Sequence, residues 1–141
     1  MSIGVQVTFD ARDPQKQAEF WAMALGYVLD PPPPGFASWS EFATARGIPR
    51  DQWRAAVIDP EGRGPRLFFQ PVPEDKTVKN RVHLDVHAGA GVHDPVLRRA
   101  AVAAHVDRLA AAGATRLREL DEVFGYCVVM QDPEGNEFCV S

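Results

Sequence analysis

Cysteine and one-sided charge are both scarce in this chain. Only Cys127 and Cys139 occur among 141 residues, so no disulfide framework carries the fold. The pair is expected as buried thiols in the last hairpin rather than as a bridge. Fifteen basic residues stand against 19 acidic ones, and a net charge of −4 is too mild to imply a nucleic-acid or anionic-membrane partner. No Arg-rich recognition helix stands out, because Arg98, Arg99 and Arg108 are scattered among alanines. No apolar run approaches a membrane span, and Met1-Ser2-Ile3-Gly4 leads into a strand without the charged and apolar regions of a secretory signal. The expectation is a cytoplasmic protein with no membrane and no nucleic-acid partner. With 45% hydrophobic residues, the chain can bury a core without metals or disulfides.

What is present is a repeat. Asp-Pro-Glu-Gly occurs at Asp59 to Gly62 and again at Asp132 to Gly135. Proline sets φ early in such a turn and glycine supplies the positive φ needed to leave it. Each copy joins two strand-like runs: Ala55 to Ile58 with Leu67 to Phe69, and Cys127 to Met130 with Phe138 to Val140. Ahead of each hairpin lies a helix, and ahead of each helix a strand, Val5 to Phe9 in the first half and Val82 to Val86 in the second. Both halves therefore read as strand, helix, strands, hairpin, with module one at 1–75 and module two at 76–141.

The helices carry their own punctuation. Asp13-Pro14 places a capping carboxylate before a proline at the first helical position. Gln17, Phe20, Trp21, Ala24 and Leu25 then share a face until Gly26. Asp94-Pro95 repeats that start for a longer Ala-rich helix with Val102, Val106 and Leu109 as its stripe, stopping at Gly113. Module one alone carries an insertion, residues 30–54. In it Pro31 to Pro34 form a stiff stretch, and Ser38-Trp39-Ser40-Glu41 reads as a capping box opening a short helix to about Arg46. Its Phe36, Trp39, Phe42 and Trp53 need something to cover, either as a lid over a pocket, as a subunit contact, or as extra core.

The paired βαβββ order, the Asp-Pro start followed by Phe20-Trp21, and the closing Asp132-Pro133-Glu134-Gly135-Asn136-Glu137-Phe138 resemble the vicinal oxygen chelate superfamily, the glyoxalase, bleomycin-resistance and extradiol-dioxygenase group. Gly64 to Gln70 and Lys79 to Val86 are similar to bacterial glyoxalase-like domains. The resemblance implies an α+β protein whose two tandem βαβββ modules form an incomplete barrel around a central cleft that takes a small organic molecule. It also implies a homodimer. In metal-using relatives, four positions face the cleft, which here fall on Gln6, His83, Cys139 and the neighbourhood of Phe69 with Gln70 beside it. His83, Gln6 and Cys139 are thus the candidate ligands for a divalent metal such as Zn, Ni, Mn or Fe. A metal is not assured, because Gln6 is a weak donor, Cys139 is soft and Phe69 supplies nothing. Glyoxalase I activity is not expected where the closing glutamate is replaced by cysteine.

Alternation along a strand puts Gln6, Thr8 and Asp10 on one face of the first strand and His83, Asp85 and His87 on one face of its counterpart. His83 and Asp85 read either as a structural hydrogen-bonded pair or as a catalytic, proton-handling pair. Arg66, Lys76, Lys79 and Arg81, with Asn80 and Gln70, either converge on an anionic ligand or form a solvated linker paired with Glu74 and Asp75. The ligand-binding candidates are therefore Gln6, Thr8, Gln70, Trp39, Trp53, Arg66, Lys79 and Arg81. Three functions compete: a small-molecule binding protein without chemistry, a metal-dependent lyase, isomerase or dioxygenase using His83, and an interaction module with the aromatic insertion as interface.

Overall fold

The computed structural model describes residues 1–141. The chain is α+β and divides into two compact units, Met1–Asp75 and Lys76–Ser141, each a βαβββ module built on one four-stranded sheet.

Module one runs β1 (Val7–Ala11), α1 (Pro14–Leu25), β2 (Val28–Leu29), α2 (Trp39–Ala45), a single 3-10 turn at Arg50–Gln52, β3 (Ala55–Ile58) and β4 (Leu67–Pro71). Its sheet order is β1-β4-β3-β2, with β1 parallel to β4 and the other pairs antiparallel. Helix α1 starts where Asp13 accepts from the Lys16 amide and ends at Gly26, whose φ of 69° lets the chain turn out of the helix. Phe20, Trp21 and Ala24 bury its inner face. Against it stand Leu67 and Phe69 of β4, and Phe9 of β1 stacks on Phe69 at 5.2 Å between ring centroids and leans on Trp21 at 5.3 Å. Alternation then turns Phe68 and Gln70 to the opposite face of β4.

Module two runs β5 (Leu84–Val86), α3 (Pro95–Ala111), β6 (Thr115–Glu122), β7 (Gly125–Gln131) and β8 (Glu137–Val140), in sheet order β5-β8-β7-β6. The topology of module one is reproduced, with β5 parallel to β8. Asp94 caps α3 by accepting from the Val96 and Leu97 amides, and Val102, Val106 and Leu109 form its buried stripe. Val128, Met130, Phe138 and Val140 are buried on the sheet.

Both Asp-Pro-Glu-Gly turns close in the same way. Asp59 accepts from the Glu61, Arg63 and Gly64 amides, and Asp132 accepts from the Glu134 and Asn136 amides and the Asn136 side chain. The repeated aspartate thus fixes each turn by collecting N–H groups that the chain would otherwise leave unpaired.

The opening strands start later than the apolar runs predict. β1 begins at Val7 because its partner does: the Val7 amide donates to the Arg66 carbonyl and Val7 lies opposite Leu67. β5 begins at Leu84, opposite Phe138. Gln6 and His83 therefore sit just outside the strands that the sequence placed them on. The capping box at α2 is also rearranged. Ser38 Oγ accepts from the Glu41 amide, but the Glu41 carboxylate reaches the Ala37 amide instead of the cap's own.

Candidate functional site

The module-one sheet, the 30–54 insertion and Gln15, Ala18 and Glu19 of α1 line an open cavity of about 940 Å³. Its wall is aromatic: Trp39, Phe42 and Trp53 come from the insertion and Phe68 from β4, with Arg66 and Gln70 as polar groups on the same strand side. Both indole N–H groups are already used inside the insertion and its approach, Trp39 Nε1 donating to the Asp30 carbonyl at 2.6 Å and Trp53 Nε1 to the Ile48 carbonyl at 3.0 Å. The rings are thereby held at their edges, leaving apolar faces to line the space. Phe42 takes Trp39 and Phe36 edge-on, at 5.6 and 5.2 Å. Arg50 fastens the insertion to α1, lying 4.5 Å over Trp53 while donating to Gln15 Oε1.

Arg66 is held in place before any ligand arrives. Its Nε and Nη2 donate to Asp30 Oδ2 at 3.0 and 2.8 Å, its Nη1 donates to Gln6 Oε1 at 2.8 Å, and its guanidinium lies 5.3 Å over Phe68. Gln70 Nε2 donates to Asp10 Oδ1 at 2.6 Å. Of the module-one ligand candidates, Trp39, Trp53, Arg66 and Gln70 share the cavity wall. Gln6 is bound to Arg66, and Thr8 is exposed on β1 opposite Phe68.

In module two, His83 Nε2 lies 3.3 Å from Asp85 Oδ1. The parallel register places Asp85 beside Cys139, and donor atoms of His83, Asp85 and Cys139 all lie within 4.8 Å of one another. Cys127 lies on the same face of β7 as Val129, the residue paired with Cys139. Both cysteines are free and half-buried. Burial pushes the Cys139 thiol up to about 11, with Cys127 and Asp85 adding to the rise and Arg118 opposing it. His87 leaves this group, its Nδ1 lying 3.0 Å from Ser141 Oγ.

The basic linker pairs differently from the expectation that Glu74 and Asp75 neutralise it. Asp75 is taken by Arg12 at 2.7 Å, and Lys79 forms an ion pair with Glu137 at the start of β8. Asn80 brings the two together, its Oδ1 accepting from the Glu137 amide at 3.2 Å. The Lys79 ammonium holds the Glu137 carboxyl below the usual carboxylate range. Lys76 donates to the Val78 carbonyl, and Arg81 is exposed.

Sequence reasoning passed over Cys127, Asp30 and Phe68 as site residues. Cys127 had a signal. The turn at Asp132 to Gly135 pairs Gln131 with Glu137, which puts Val129 opposite Cys139 and Cys127 on the same face. Asp30 had none, being 36 residues from Arg66 in the chain.

Solved structures agree with this arrangement at the level of fold. A glyoxalase/bleomycin resistance protein/dioxygenase family enzyme from Burkholderia phytofirmans PsJN is 18% identical, with a TM-score of 0.61 over 96% of this chain and 94% of that one. The fosfomycin resistance protein FosX from Listeria monocytogenes, complexed with Mn(II) and 1S,2S-dihydroxypropylphosphonic acid, is 13% identical, with a TM-score of 0.62 over 99% of this chain and 90% of that one. No curated protein sequence matches the chain. The family model of the glyoxalase-like domain matches residues 6–141. The chain therefore belongs to the glyoxalase-like domain family, on the two-module βαβββ fold of the glyoxalase, bleomycin-resistance and dioxygenase superfamily.

Proposed function

We propose that this protein binds a small organic molecule with a flat apolar body in the module-one cavity. The observation that carries the reading is the cavity itself. At about 940 Å³ it is at the upper end of the size usual for small-molecule sites, and those sites combine aromatic walls with a few fixed polar groups. Arg66 and Gln70 are two such groups, in a lining that also includes Glu19, Asp51 and Arg54. Their hydrogen bonds to Asp30, Gln6 and Asp10 set their positions before binding, which lowers the entropy cost of capture. The indole bonds within module one support the insertion as a lid rather than as an interface for another chain.

The metal-enzyme reading draws on the Mn(II) in the FosX structure, and the residues here do not fit that ion. Manganese prefers carboxylate, carbonyl and water oxygens, with imidazole nitrogen as the softer partner. The carboxamide oxygen of Gln6 is engaged by Arg66, and the position beside Asp85 is a thiol.

Titration with 8-anilinonaphthalene-1-sulfonate, a flat aromatic anion, tests the proposal through probe emission and tryptophan quenching. Saturable binding of one probe per chain, weakened at least tenfold in Trp53→Ala and Phe68→Ala, is the expected result. Binding left unchanged by both substitutions in folded protein, or no saturable binding at all, would overturn it.

A further inference from the structure

Given the reading of the module-one cavity as a small-molecule site, on which this rests, we infer that the ligand it takes is an aromatic carboxylic acid whose carboxylate is received by Arg66. That reading asks only for a flat apolar body. The charged groups on the wall determine what the body must carry.

Arg66 is the group that decides. A guanidinium has five N–H donors and no acceptor. Nε and Nη2 each give one N–H to Asp30 Oδ2, and Nη1 gives one to Gln6 Oε1. One N–H on each terminal nitrogen is left over. Arg66 lines the cavity with its guanidinium over Phe68, so only an acceptor, from a ligand or from water, can meet those two donors. An ammonium group cannot. The site is also partly withdrawn from solvent, the Arg66 and Asp30 side chains being 35% and 22% exposed, and a hydrogen bond made there is stronger than one on the open surface. Among acceptors, a carboxylate is planar, matches the guanidinium plane and forms charge-assisted bonds about twice as strong as neutral ones.

The aromatic wall excludes the opposite choice. An aromatic cage for a cation works through the electron-rich faces of its rings. Three of the four rings here have already given a face to an arginine: Arg46 lies 5.2 Å over Phe42, Arg50 4.5 Å over Trp53 and Arg66 5.3 Å over Phe68. Those guanidinium groups bring positive charge to the wall, which favours an anion. Glu19 and Asp51 also line the cavity, as does Arg54. All three are exposed, where water and salt screen their charge.

Asp30 then sets the strength of the interaction. It fixes the guanidinium in place, and its own negative charge repels an incoming carboxylate across the same arginine.

Isothermal titration calorimetry of the full-length protein at neutral pH, with three naphthalenes of one shape, tests this: 2-naphthoate, 2-naphthamide and 2-naphthylmethylammonium. We expect naphthoate to bind about tenfold tighter than naphthamide or better, in keeping with charge-assisted against neutral hydrogen bonds, and the ammonium compound to bind weakest. Arg66→Lys keeps a cation for Asp30 but loses the planar fork, and should reduce that preference to about threefold or less. Asp30→Asn keeps an oxygen acceptor for Arg66 and removes the repelling charge, so it should widen the preference by about threefold or more. Equal binding of naphthoate and naphthamide to the wild-type protein, or tightest binding of the ammonium compound, would overturn the inference and leave the cavity reading standing. A preference unchanged in folded Arg66→Lys would do the same. Failure of all three compounds to bind would remove the cavity reading, and the inference with it.

Discussion

The two modules share their scaffold and differ on their open faces. Both have a parallel first-to-last strand pair, an Asp-Pro helix start and an Asp-Pro-Glu-Gly turn closed by its aspartate. The face of module one that α1 does not cover presents Phe68, Gln70 and Arg66 beneath an aromatic insertion. In module two, Asp85 and Cys139 stand together with His83. The shared parts are those that local backbone chemistry demands. The parts that differ are side chains outside the packed core, where packing imposes the least and a site can be built.

Neighbouring residues on β4 provide the sharpest way to break this comparison. Phe69 is fully buried and stacks on Phe9, whereas Phe68 lines the cavity. Phe69→Ala should cost about 3–5 kcal/mol in urea unfolding and leave a weakened but recognisable binding site at low denaturant. Phe68→Ala should cost less than half of that and remove probe binding. Equal stability losses would mean that the two faces are not divided between core and site.

The second prediction sharpens the contrast within module two. Burial raises the Cys139 thiol from an ordinary 9.0 to about 11. A raised thiol value leaves less thiolate below it, so at pH 8 Cys139 should alkylate with iodoacetamide about 100-fold more slowly than an ordinary cysteine, two pH units being a factor of a hundred. The rate should climb tenfold per pH unit until the pH approaches that value. Peptide mass spectrometry at several pH values reads this directly, and a rate at pH 8 matching free cysteine would remove burial as the controlling effect.

Local devices were legible in the sequence, and long-range pairings were not. The span of α1, both Asp caps and both hairpin turns depend on residues a few positions apart. The insertion's aromatic residues announced that they cover something, but not that Phe68 lies beneath them. The late starts of β1 and β5 were hidden because a strand ends where its partner ends, and the partners Leu67 and Phe138 are far along the chain. The same distance concealed the Arg66–Asp30 and Lys79–Glu137 pairs, which link residues 36 and 58 positions apart. For the basic linker, nearness in sequence suggested Glu74 and Asp75, and the fold chose otherwise.

The repeated turns allow a smaller test. Asp59 and Asp132 each hold three N–H groups, but Asp132 is only 2% exposed. Donors orphaned away from water are the costlier loss. Asp132→Ala should therefore cost about 2–3 kcal/mol and Asp59→Ala about 1–2 kcal/mol by urea midpoint. Equal costs would show that the turn's own geometry, and not its burial, sets the value of the aspartate.

The smallest effect belongs to the helix starts. Asp94 Oδ1 accepts from Val96 and Leu97 at 2.9 and 3.0 Å, ahead of a proline that already has the helical φ. Asp94→Ala should cost about 1 kcal/mol, and Asp94→Asn should restore nearly all of it, because asparagine caps as well as aspartate. The same pair of substitutions at Asp13 tests whether the devices are equivalent. A local cap gives the same two numbers in either module, so a larger loss in Asp13→Asn than in Asp94→Asn would show that the charge at Asp13 does more than start a helix.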